Sequence, residues 1–302
     1  MTGMNRPARA VALVGFVTAT ACGTALNYPG LAGPRYAGEA PGVQREATPR
    51  APEHVRLVTW NTHFAQRIDR LIELLRTAEP AKHADVVMLQ EVDAKGTGRI
   101  AEALGMSYVY YPAVVHPITG RDFGNAVLSR WPIVEDEKLI LPHHGRFRDS
   151  QRAATAATIL LGDDSLRLYS VHLSTMVEVG PGSRREQART VLADAARFRR
   201  VIVGGDMNGV GVGDEFLACG FLWPTKDNAP TIHVFTWDHI FLKGLVLNDS
   251  AGTGVVDDDV GASDHRAVWA VARLGPSPDA DAEPPTNAPG DSDRLQGCAA
   301  LR

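Results

Sequence analysis

The chain has 302 residues, 44% of them hydrophobic and 22% charged, and its formal net charge is -4. This is ordinary globular composition. The small negative charge excludes a protein held on nucleic acid by a strongly basic overall field. The sequence has no apolar run of about 18 residues or more, which argues against a membrane-spanning helix. The three cysteines, Cys22, Cys219 and Cys298, form no disulfide framework, and Cys219 is expected to be a small buried hydrophobic residue.

The N-terminal segment has the layout of a secretory signal peptide. Arg6 and Arg9 precede an apolar stretch from residue 10 to residue 21. The stretch Ala19-Thr20-Ala21-Cys22-Gly23 is similar to a bacterial lipobox, in which the cysteine is lipidated, although leucine is usual where Ala19 stands. We therefore expect residues 1–22 to be a signal peptide with a lipobox, and the protein to be an exported cell-envelope lipoprotein anchored at Cys22. Simple secretion and a cytoplasmic apolar N-terminus are the alternatives.

Composition divides the rest of the chain into three parts. Residues 23–52 are rich in Gly, Pro and Ala, which is typical of a flexible tether. Residues 275–302 turn to Pro, Ala, Asp and Gly and are expected to form a disordered tail. Residues 53–274 remain, which is enough for one large core and short for two independent domains.

Strands and helices are expected to alternate through residues 53–274. Val55–Trp60 predicts a strand, and apolar residues at helical spacing predict a helix over residues 66–78. A second helix over residues 97–104 should end at Gly105. The other expected strands of this half are Asp85–Gln90, Tyr108–Tyr111, Asn125–Leu128, Ala153–Leu161 and Ser165–Val171, the last two pairing as a hairpin.

The second half begins with a helix expected over residues 184–200. Its apolar stripe carries Val191 and Leu192, while its arginines predict a solvated face or an anion-attracting rim. A strand at 201–204, a loop-rich stretch at 209–237 with one short helical patch, and strands at Ile240–Leu242 and Ala267–Val271 follow. Strands interleaved with helices, some of them paired as hairpins, predict two sheets packed face to face with helices outside.

Polar residues follow the strand expected at Val201–Gly204. The strand is expected to break at Gly204 and Gly205, and Asp206 and Asn208 then project to the same side. A carboxylate and an amide placed together suit a hard divalent cation or a phosphate-bound water. Ordinary turn formation is the alternative, because Asp and Asn are also common in turns.

Other apolar runs have similar polar residues at their ends, which predicts a cluster of functional groups at one edge of a sheet. These residues are Asn61, Gln90-Glu91, His172, Asp238-His239 and Ser263-Asp264-His265. Taken together, the chain resembles the endonuclease/exonuclease/phosphatase (DNase I-like) superfamily. The segments that carry the resemblance are Thr59-Trp60-Asn61, Leu89-Gln90-Glu91, Gly124-Asn125-Ala126-Val127-Leu128-Ser129, Val171-His172-Leu173, Gly205-Asp206-Met207-Asn208, Asp238-His239-Ile240-Phe241 and Ser263-Asp264-His265.

The resemblance implies a four-layered α/β sandwich, two mixed β-sheets packed face to face with helices outside, with the active site at one end of the sheets. It also implies that residues 53–274 form a catalytic domain that hydrolyses a phosphoester with Mg²⁺ or Mn²⁺. The metal ligand would be Glu91, with help from Asn61 and Asp264. One carboxylate with a neutral amide leaves coordination positions open for substrate oxygens and water.

The resemblance also assigns roles in catalysis. Asp206 and Asn208 would orient the attacking water and the phosphoryl group. His265 would be the general base, held by Asp238, and His172 would donate a hydrogen bond to a non-bridging phosphate oxygen.

Two further residues match the family less specifically. Asn125 and Arg152 occupy positions that face the cleft in many members and would contact the substrate phosphate, although a surface ion pair suits Arg152 equally well. DNase I-like nucleases place a glutamate beside the histidine that His172 matches. No glutamate lies between Glu102 and Glu135, so this partner is missing or replaced.

These features predict an exported, Mg²⁺-dependent phosphoric ester hydrolase, tethered to the membrane through its N-terminal lipid and acting as a monomer. The substrate is a phospholipid or another small phosphodiester, with nucleic acid left open. The alternatives are a non-catalytic phosphate- or partner-binding module on the same fold, an extracellular nuclease that acts on DNA, and a structural protein of the cell envelope.

Overall fold

The computed structural model describes residues 24–41, 52–117, 119–162, 164–247, 252–258 and 261–274. The signal peptide predicted at residues 1–22 and the tail predicted at residues 275–302 lie outside these ranges. In chain order the strands are β1 (Leu26–Asn27), β2 (Tyr36–Gly38), β3 (His54–Asn61), β4 (Val86–Val92), β5 (Ser107–Val115), β6 (Asp122–Ser129), β7 (Ile133–Ile140), β8 (Ala153–Leu161), β9 (Asp164–His172), β10 (Val201–Asp206), β11 (Asp238–Lys243), β12 (Leu245–Leu247), β13 (Thr253–Val255) and β14 (Val268–Leu274).

The helices are α1 (Ile68–Thr77), α2 (Ala94–Leu104), α3 (Pro181–Ala195) and α4 (Gly213–Ala218), with short 3₁₀ turns at Ala81–His83 and Val210–Val212. Helix α2 begins at an Asp93 cap whose side chain accepts a hydrogen bond from the Gly96 backbone N–H. It ends at Gly105, whose φ of 64° is left-handed, as expected of a glycine that follows a helix. Helix α3 starts three residues before the predicted helix and ends five residues earlier.

The described strands form two mixed sheets. The first has the order β1-β5-β6-β4-β3-β14-β12, with β2 on β5 and β13 on β14. The second has the order β11-β10-β9-β8-β7. Parallel pairing occurs between β3 and β4 in the first sheet and between β9 and β10 in the second, while the neighbouring pairs are antiparallel. The predicted hairpin of β8 and β9 is present.

Three apolar clusters separate four layers. One packs α1 and α2 against the outer face of the first sheet, and a second fills the space between the sheets. The third packs α3 and α4 against the outer face of the second sheet. Side chains of one strand alternate between clusters, as Val58 and Leu57 of β3 do. The predicted four-layered α/β sandwich is therefore confirmed.

The two glycines of β10 allow close packing and do not end the strand. The sequence predicts a break at Gly204-Gly205, whereas β10 continues through Asp206. A Cβ on Gly205 would lie 1.9 Å from the carbonyl oxygen of Val171 in β9. A Cβ on Gly204 would lie 2.5 Å from Met88 in the opposite sheet. Glycine is required at position 205, where backbone atoms occupy the Cβ position, whereas at position 204 the flexible end of Met88 would have to move.

Residues 23–52, predicted to form a flexible tether, include a segment that packs on the domain. In the described part, 24–41, β1 pairs with β5 through Leu26 and Asn27, and β2 pairs with β5 through Tyr36 to Gly38. The tether prediction is wrong for these residues, because composition carries no information about backbone pairing with a distant strand edge.

Two predictions from the second half of the chain also need correction. Arg184 and Arg200 belong to the arginines predicted to lie on a solvated face, yet each is only 7% exposed. Cys219 is half-buried beside the third cluster and is disulfide-bonded, so it is not a free buried thiol. Among the described residues, no helix is both long enough and apolar enough to span a membrane.

Candidate functional site

Strand register places three predicted site residues in one row across the second sheet. The parallel pairing of β9 and β10 aligns His172 with Asp206. The antiparallel pairing of β10 and β11 aligns Asp206 with Asp238. All three side chains are almost fully buried. The Nε2 atom of His172 lies 3.5 Å from Oδ2 of Asp206, so an imidazole and two carboxylates share this edge.

The first sheet brings Asn61 and Glu91 to the same edge. Parallel pairing of β3 and β4 aligns Asn61 with Gln90. The next residue, Glu91, lies in a bulge between Leu89 and Val92, which changes its direction. Glu91 adopts a left-handed backbone with φ of 55°, a sparsely populated conformation typical of functional sites. Its Oε1 accepts a hydrogen bond from Asn61 Nδ2 at 3.2 Å, and burial raises its pKa.

Asn61 also joins the two sheets. Its Nδ2 donates to Asp206 Oδ2 at 3.1 Å, so one amide group bridges the carboxylates of Glu91 and Asp206. Its Oδ1 accepts from the His63 backbone N–H at 3.1 Å. The structure therefore brings together three residues that lie far apart in sequence.

Backbone contacts place His265 beside Asp238. The indole Nε1 of Trp60 donates to the carbonyl oxygen of His265 at 2.8 Å, and the hydroxyl of Ser263 donates to the carbonyl oxygen of Asn61 at 2.7 Å. The imidazole Nδ1 of His265 then lies 2.8 Å from Oδ2 of Asp238. The predicted Asp238–His265 pair is thus present as a buried hydrogen bond.

Crowded carboxylates set the charge of this cluster. Burial, reinforced by the charge of Asp238, raises the pKa of Asp206 to about 7. Burial alone would lower the pKa of His265, but Asp238 and Asp206 outweigh it and raise this pKa to about 10. The acids therefore favour an imidazolium at His265, and a base at this position needs positive charge nearby.

Burial and the neighbouring Arg152 hold His172 neutral. Burial first and Arg152 second lower the pKa of His172 well below its usual value. The Nη1 atom of Arg152 lies 3.0 Å from Nδ1 of His172 and 3.3 Å from Nε2. Because a guanidinium can only donate, the nearer nitrogen Nδ1 accepts, and the proton sits on Nε2. His172 therefore presents an N–H donor towards Asp206.

Arg152 contacts His172 and is itself paired with Glu178. Arg152 is 7% exposed, and its Nη2 donates to Oε2 of Glu178 at 2.9 Å. Burial opposes ionisation of Glu178, but Arg152 lowers its pKa to about 2. Of the alternatives for Arg152, the ion pair is present, with Glu178, but it is buried and does not lie on the surface. Glu178 was not predicted, because no motif surrounds it in the sequence.

The two predicted amide side chains make structural hydrogen bonds through their nitrogens. Asn208 has a left-handed backbone with φ of 50°, its N–H donates to Asp206 Oδ1 at 2.8 Å, and its Nδ2 donates to the Leu173 carbonyl at 2.9 Å. Asn125 is buried, and its Nδ2 donates to the Ala153 carbonyl at 2.5 Å. Asn208 adjoins the cluster through Asp206, whereas Asn125 ties β6 to the second sheet.

Two sets of residues could hold a cation. Glu91 and Asn61 are in contact, and the charge of Asp264 acts on Glu91 to raise its pKa. Asp264 is the more exposed member, with 44% of its side chain accessible. Among the described residues, Asp206, Asp238 and His265 also form a group whose ligand atoms lie within 4.8 Å of one another. Both sets offer the oxygen and imidazole ligands that divalent cations use.

A buried hydrogen bond joins the two sheets next to the site, and it was not predicted from the sequence. Gln90 Nε2 donates to Ser170 Oγ at 2.9 Å, and Ser170 Oγ donates to the Leu89 carbonyl at 2.8 Å. Both side chains are fully buried. The motif containing Gln90 was recognised, but nothing in the sequence indicates that Ser170 is its partner.

A cavity of about 300 Å³ adjoins the cluster. Glu91, Arg152 and Glu178 line its inner end, and aromatic and aliphatic side chains line most of the remaining wall. The Phe64, His116 and Phe123 rings pack together along it, with centroids 4.5 Å apart for Phe64 and His116. The site thus combines a polar edge with an apolar chamber.

Two packed mixed sheets that gather acids, amides and histidines at a shared edge define a phosphoesterase of the DNase I-like class. The chain belongs to the Endonuclease/Exonuclease/phosphatase family, whose sequence profile it matches over residues 58–265. The predicted family is confirmed. Members of this family hydrolyse phosphoesters and typically depend on a divalent metal. A search of curated proteins found no match.

Solved structures agree with this fold at low sequence identity. A family member from Bacteroides vulgatus is 16% identical with a TM-score of 0.60, covering 74% of this chain and 100% of that chain. D. rerio TDP2 complexed with single strand DNA product is 16% identical with a TM-score of 0.58, covering 74% and 100%. A mannosyl-6-phosphatase from Bacteroides thetaiotaomicron is 19% identical with a TM-score of 0.54, covering 73% and 99%. These similarities concern the fold.

Proposed function

We propose that the chain is a divalent-cation-dependent hydrolase of phosphodiesters, with Mg²⁺ as the cation and Mn²⁺ as a substitute. The observation that carries the proposal is the row His172, Asp206 and Asp238 across three adjacent strands, completed by the His265–Asp238 bond. The arrangement places a neutral hydrogen-bond donor (His172), a carboxylate (Asp206) and an acid–imidazole pair (Asp238 and His265) next to one another. These are the groups that activation of water and stabilisation of a phosphoryl oxygen require.

The donor set suits a hard cation. Burial raises the pKa values of both Glu91 and Asp206, so their paired ionisation needs compensating positive charge. Glu91 would hold the cation, with Asn61 and Asp264 as its other ligands. The alternative set is less suitable, because Asp238 already shares its Oδ2 with His265 Nδ1. A bound Mg²⁺ would polarise a phosphoryl oxygen and offset charge in the transition state.

The remaining groups orient the substrate and transfer a proton. The Nε2–H of His172 donates to a non-bridging oxygen, where negative charge builds. Asp206 and Asn208 orient the attacking water, and His265 accepts its proton at Nε2. Asp238 bonds Nδ1 of His265, which fixes the tautomer and stabilises the imidazolium.

We also propose that the enzyme is exported and anchored through a lipid on Cys22. Support comes from the sequence of residues 1–22 alone. Anchoring would favour a phospholipid or another small phosphodiester over nucleic acid as the substrate. The net charge of -4 is consistent with this choice, because few phosphate contacts are available for holding a polymer.

The purified full chain should be assayed on a generic bis-aryl phosphate, plasmid DNA, sphingomyelin and inositol phosphates, with Mg²⁺, with Mn²⁺ and with excess chelator. We expect cation-dependent turnover of a phosphodiester. Glu91→Gln should lose at least about 10²-fold in turnover and bind Mn²⁺ more weakly, while keeping its melting temperature. Asp136→Asn serves as a control, because Asp136 pairs with Arg35 and Tyr111 outside the site.

Two outcomes would reject this mechanism. Undiminished hydrolysis by the wild type in excess chelator would exclude the cation, and undiminished hydrolysis by Glu91→Gln would exclude its proposed ligand. A folded chain that binds phosphate without turning over any of the substrates would favour the non-catalytic alternative.

A further inference from the structure

The cavity beside the catalytic cluster opens on a surface built from three chain segments. Residues 25–27, 146–149 and 175–178 meet there. The Ala25 N–H donates to the Arg148 carbonyl at 2.8 Å, and the Arg146 N–H donates to the Glu178 carbonyl at 3.1 Å. Phe147, Arg148 and Val177 also line the cavity. Hydrogen bonds therefore join the three segments into one surface around the mouth of the cavity.

This surface exposes large apolar side chains next to arginines. We define the rim as Leu26, Arg146, Phe147, Arg148, Met176 and Val177. Its four apolar members are exposed by 65% (Leu26), 65% (Phe147), 51% (Met176) and 67% (Val177). The guanidinium of Arg146 lies 5.8 Å from the centre of the Phe147 ring. Asp149 on the same turn is paired with His144 at 2.9 Å. Clustered exposed apolar groups on a soluble fold mark an interaction surface.

The rim lies close along the chain to the predicted lipid anchor. Ala25 follows Cys22 by three residues, and three extended residues span at most about 11 Å. The N–H of Ala25 is bonded to the Arg148 carbonyl, within the rim. A lipid on Cys22 would therefore enter a bilayer within about this distance of the rim. An anchor at Cys22 would therefore hold the rim close to a bilayer.

We propose that the rim docks on the surface of a lipid bilayer that contains anionic lipids. Phe147, Val177 and their apolar neighbours enter the interfacial layer, where apolar side chains leave water. Arg146 and Arg148 attract the anionic headgroups through local positive charge. The chain as a whole does not, because its net charge is -4. Docking turns the mouth of the cavity towards the bilayer. A phosphoester carried by a lipid then reaches the site through the apolar chamber.

The test measures docking without the lipid anchor and without catalysis. The chain from Gly23 to Arg302 retains every described residue, and with them the three apolar clusters between the layers, and lacks the apolar leader. It is sedimented with vesicles of phosphatidylcholine alone or of phosphatidylcholine mixed equally with phosphatidylglycerol. We expect stronger binding to the anionic vesicles, and this preference should fall at high salt.

Two pairs of substitutions separate the apolar and electrostatic contributions. Phe147→Ser with Val177→Ser should weaken binding to both kinds of vesicle by at least about tenfold. Arg146→Gln with Arg148→Gln should weaken binding to anionic vesicles by about fivefold per charge, and leave phosphatidylcholine binding unchanged. Leu222→Ser with Val234→Ser is the matched control, because these residues are 47% and 77% exposed outside the rim.

The proposal is overturned if the unanchored chain binds neither kind of vesicle. It is also overturned if the rim substitutions have no more effect than the control pair. Leu26→Ser with Met176→Ser, two exposed rim residues that do not line the cavity, should also weaken vesicle binding and should leave hydrolysis of a soluble substrate unchanged, which makes a failure of docking distinguishable from a failure of the proposed activity. Equal losses on soluble and vesicle-borne substrates would show that the rim acts on the catalytic site and not on the bilayer.

Discussion

The Asp238–His265 bond predicts strongly coupled losses of activity. His265→Ala removes the proposed base and should reduce turnover by roughly 10²-fold or more. Asp238→Asn keeps the size of a side chain that is fully buried but removes its charge. A charge-assisted hydrogen bond is worth about 1.5–3 kcal/mol and a neutral one about 0.5–1.5 kcal/mol. Loss of charge at the 2.8 Å contact should therefore cost at least about 1 kcal/mol, and a wrong tautomer should raise the loss of turnover to between about tenfold and 10²-fold.

The double variant should be little worse than His265→Ala alone. Asp238 acts through the imidazole, so its contribution disappears once the imidazole is gone. Two independent losses would multiply to at least about 10³-fold. The expected coupling energy is therefore about 1.4–2.8 kcal/mol, since a factor of ten corresponds to about 1.4 kcal/mol.

The assay is a double-mutant cycle on turnover at saturating Mg²⁺ and substrate, with melting temperatures recorded for every variant. A second cycle between His265→Ala and Asp136→Asn supplies the control, because Asp136 bonds Arg35 and Tyr111 and belongs to another region. That cycle should be multiplicative. Multiplicative losses in the Asp238–His265 cycle as well would refute the reasoning, and would assign Asp238 to the cation or the phosphate.

Three further predictions concern stability and location. Burial lowers the pKa of the fully buried Lys138 to about 8. Between about pH 8 and pH 10 the unfolded chain therefore binds more protons at this residue than the folded chain, so the free energy of unfolding rises with pH. In urea unfolding, the free energy of unfolding of the wild type should increase over this range by about 2 kcal/mol more than that of Lys138→Met, and an equal change in the two proteins would contradict this. Ser170→Ala removes the hydroxyl that accepts from Gln90 Nε2 and donates to the Leu89 carbonyl, while Thr59 Oγ1 and the Met88 carbonyl still accept from Gln90; the free energy of unfolding should therefore fall by only about 0.5–1.5 kcal/mol, whereas an unchanged value would show that the bond between the sheets is dispensable. Wild type should partition into detergent, while Cys22→Ser should become aqueous or keep its leader; aqueous partitioning of both would leave ordinary secretion.

The polar strand ends could be predicted from sequence because each is a local pattern. Glu91 and Asp206 lie two and three residues after the end of an apolar run, so the strand signal and the polar residue are close together in the sequence. Parallel pairing then brings such ends to one edge of a sheet. Tertiary partners have no comparable local signal. Glu178 reaches Arg152 from a loop 26 residues away, and no pattern in the sequence distinguishes it from other surface acids.

Two edge strands were missed for a related reason. Strand β7 has the sequence Ile-Val-Glu-Asp-Glu-Lys-Leu-Ile, in which four consecutive charged residues suggest a loop. It forms an edge of the second sheet, where only one neighbouring strand is needed and charged side chains are tolerated. Strand β1, of two residues, is held by its backbone pairing with β5 and by the Asn27 side chain, which bonds the backbone of Asp149 and Gln151. Composition and periodicity carry no information about these bonds to distant backbone and therefore miss such elements.

The topology also explains why the proposed activity depends on the packing between the sheets. The first sheet carries Glu91, the proposed metal ligand, whereas the second carries the Asp206 row that would handle phosphate and protons. Asn61 is the direct link, because one amide nitrogen donates to both carboxylates. Trp60 adds a second link, since β3 holds the backbone of His265 while its imidazole bonds β11. A shift of one sheet against the other by about 1 Å would separate the metal ligand from the water-activating groups, and misplacement of this size can cost roughly 10²-fold in rate. Substitutions in the core between the sheets should therefore reduce turnover before they unfold the protein.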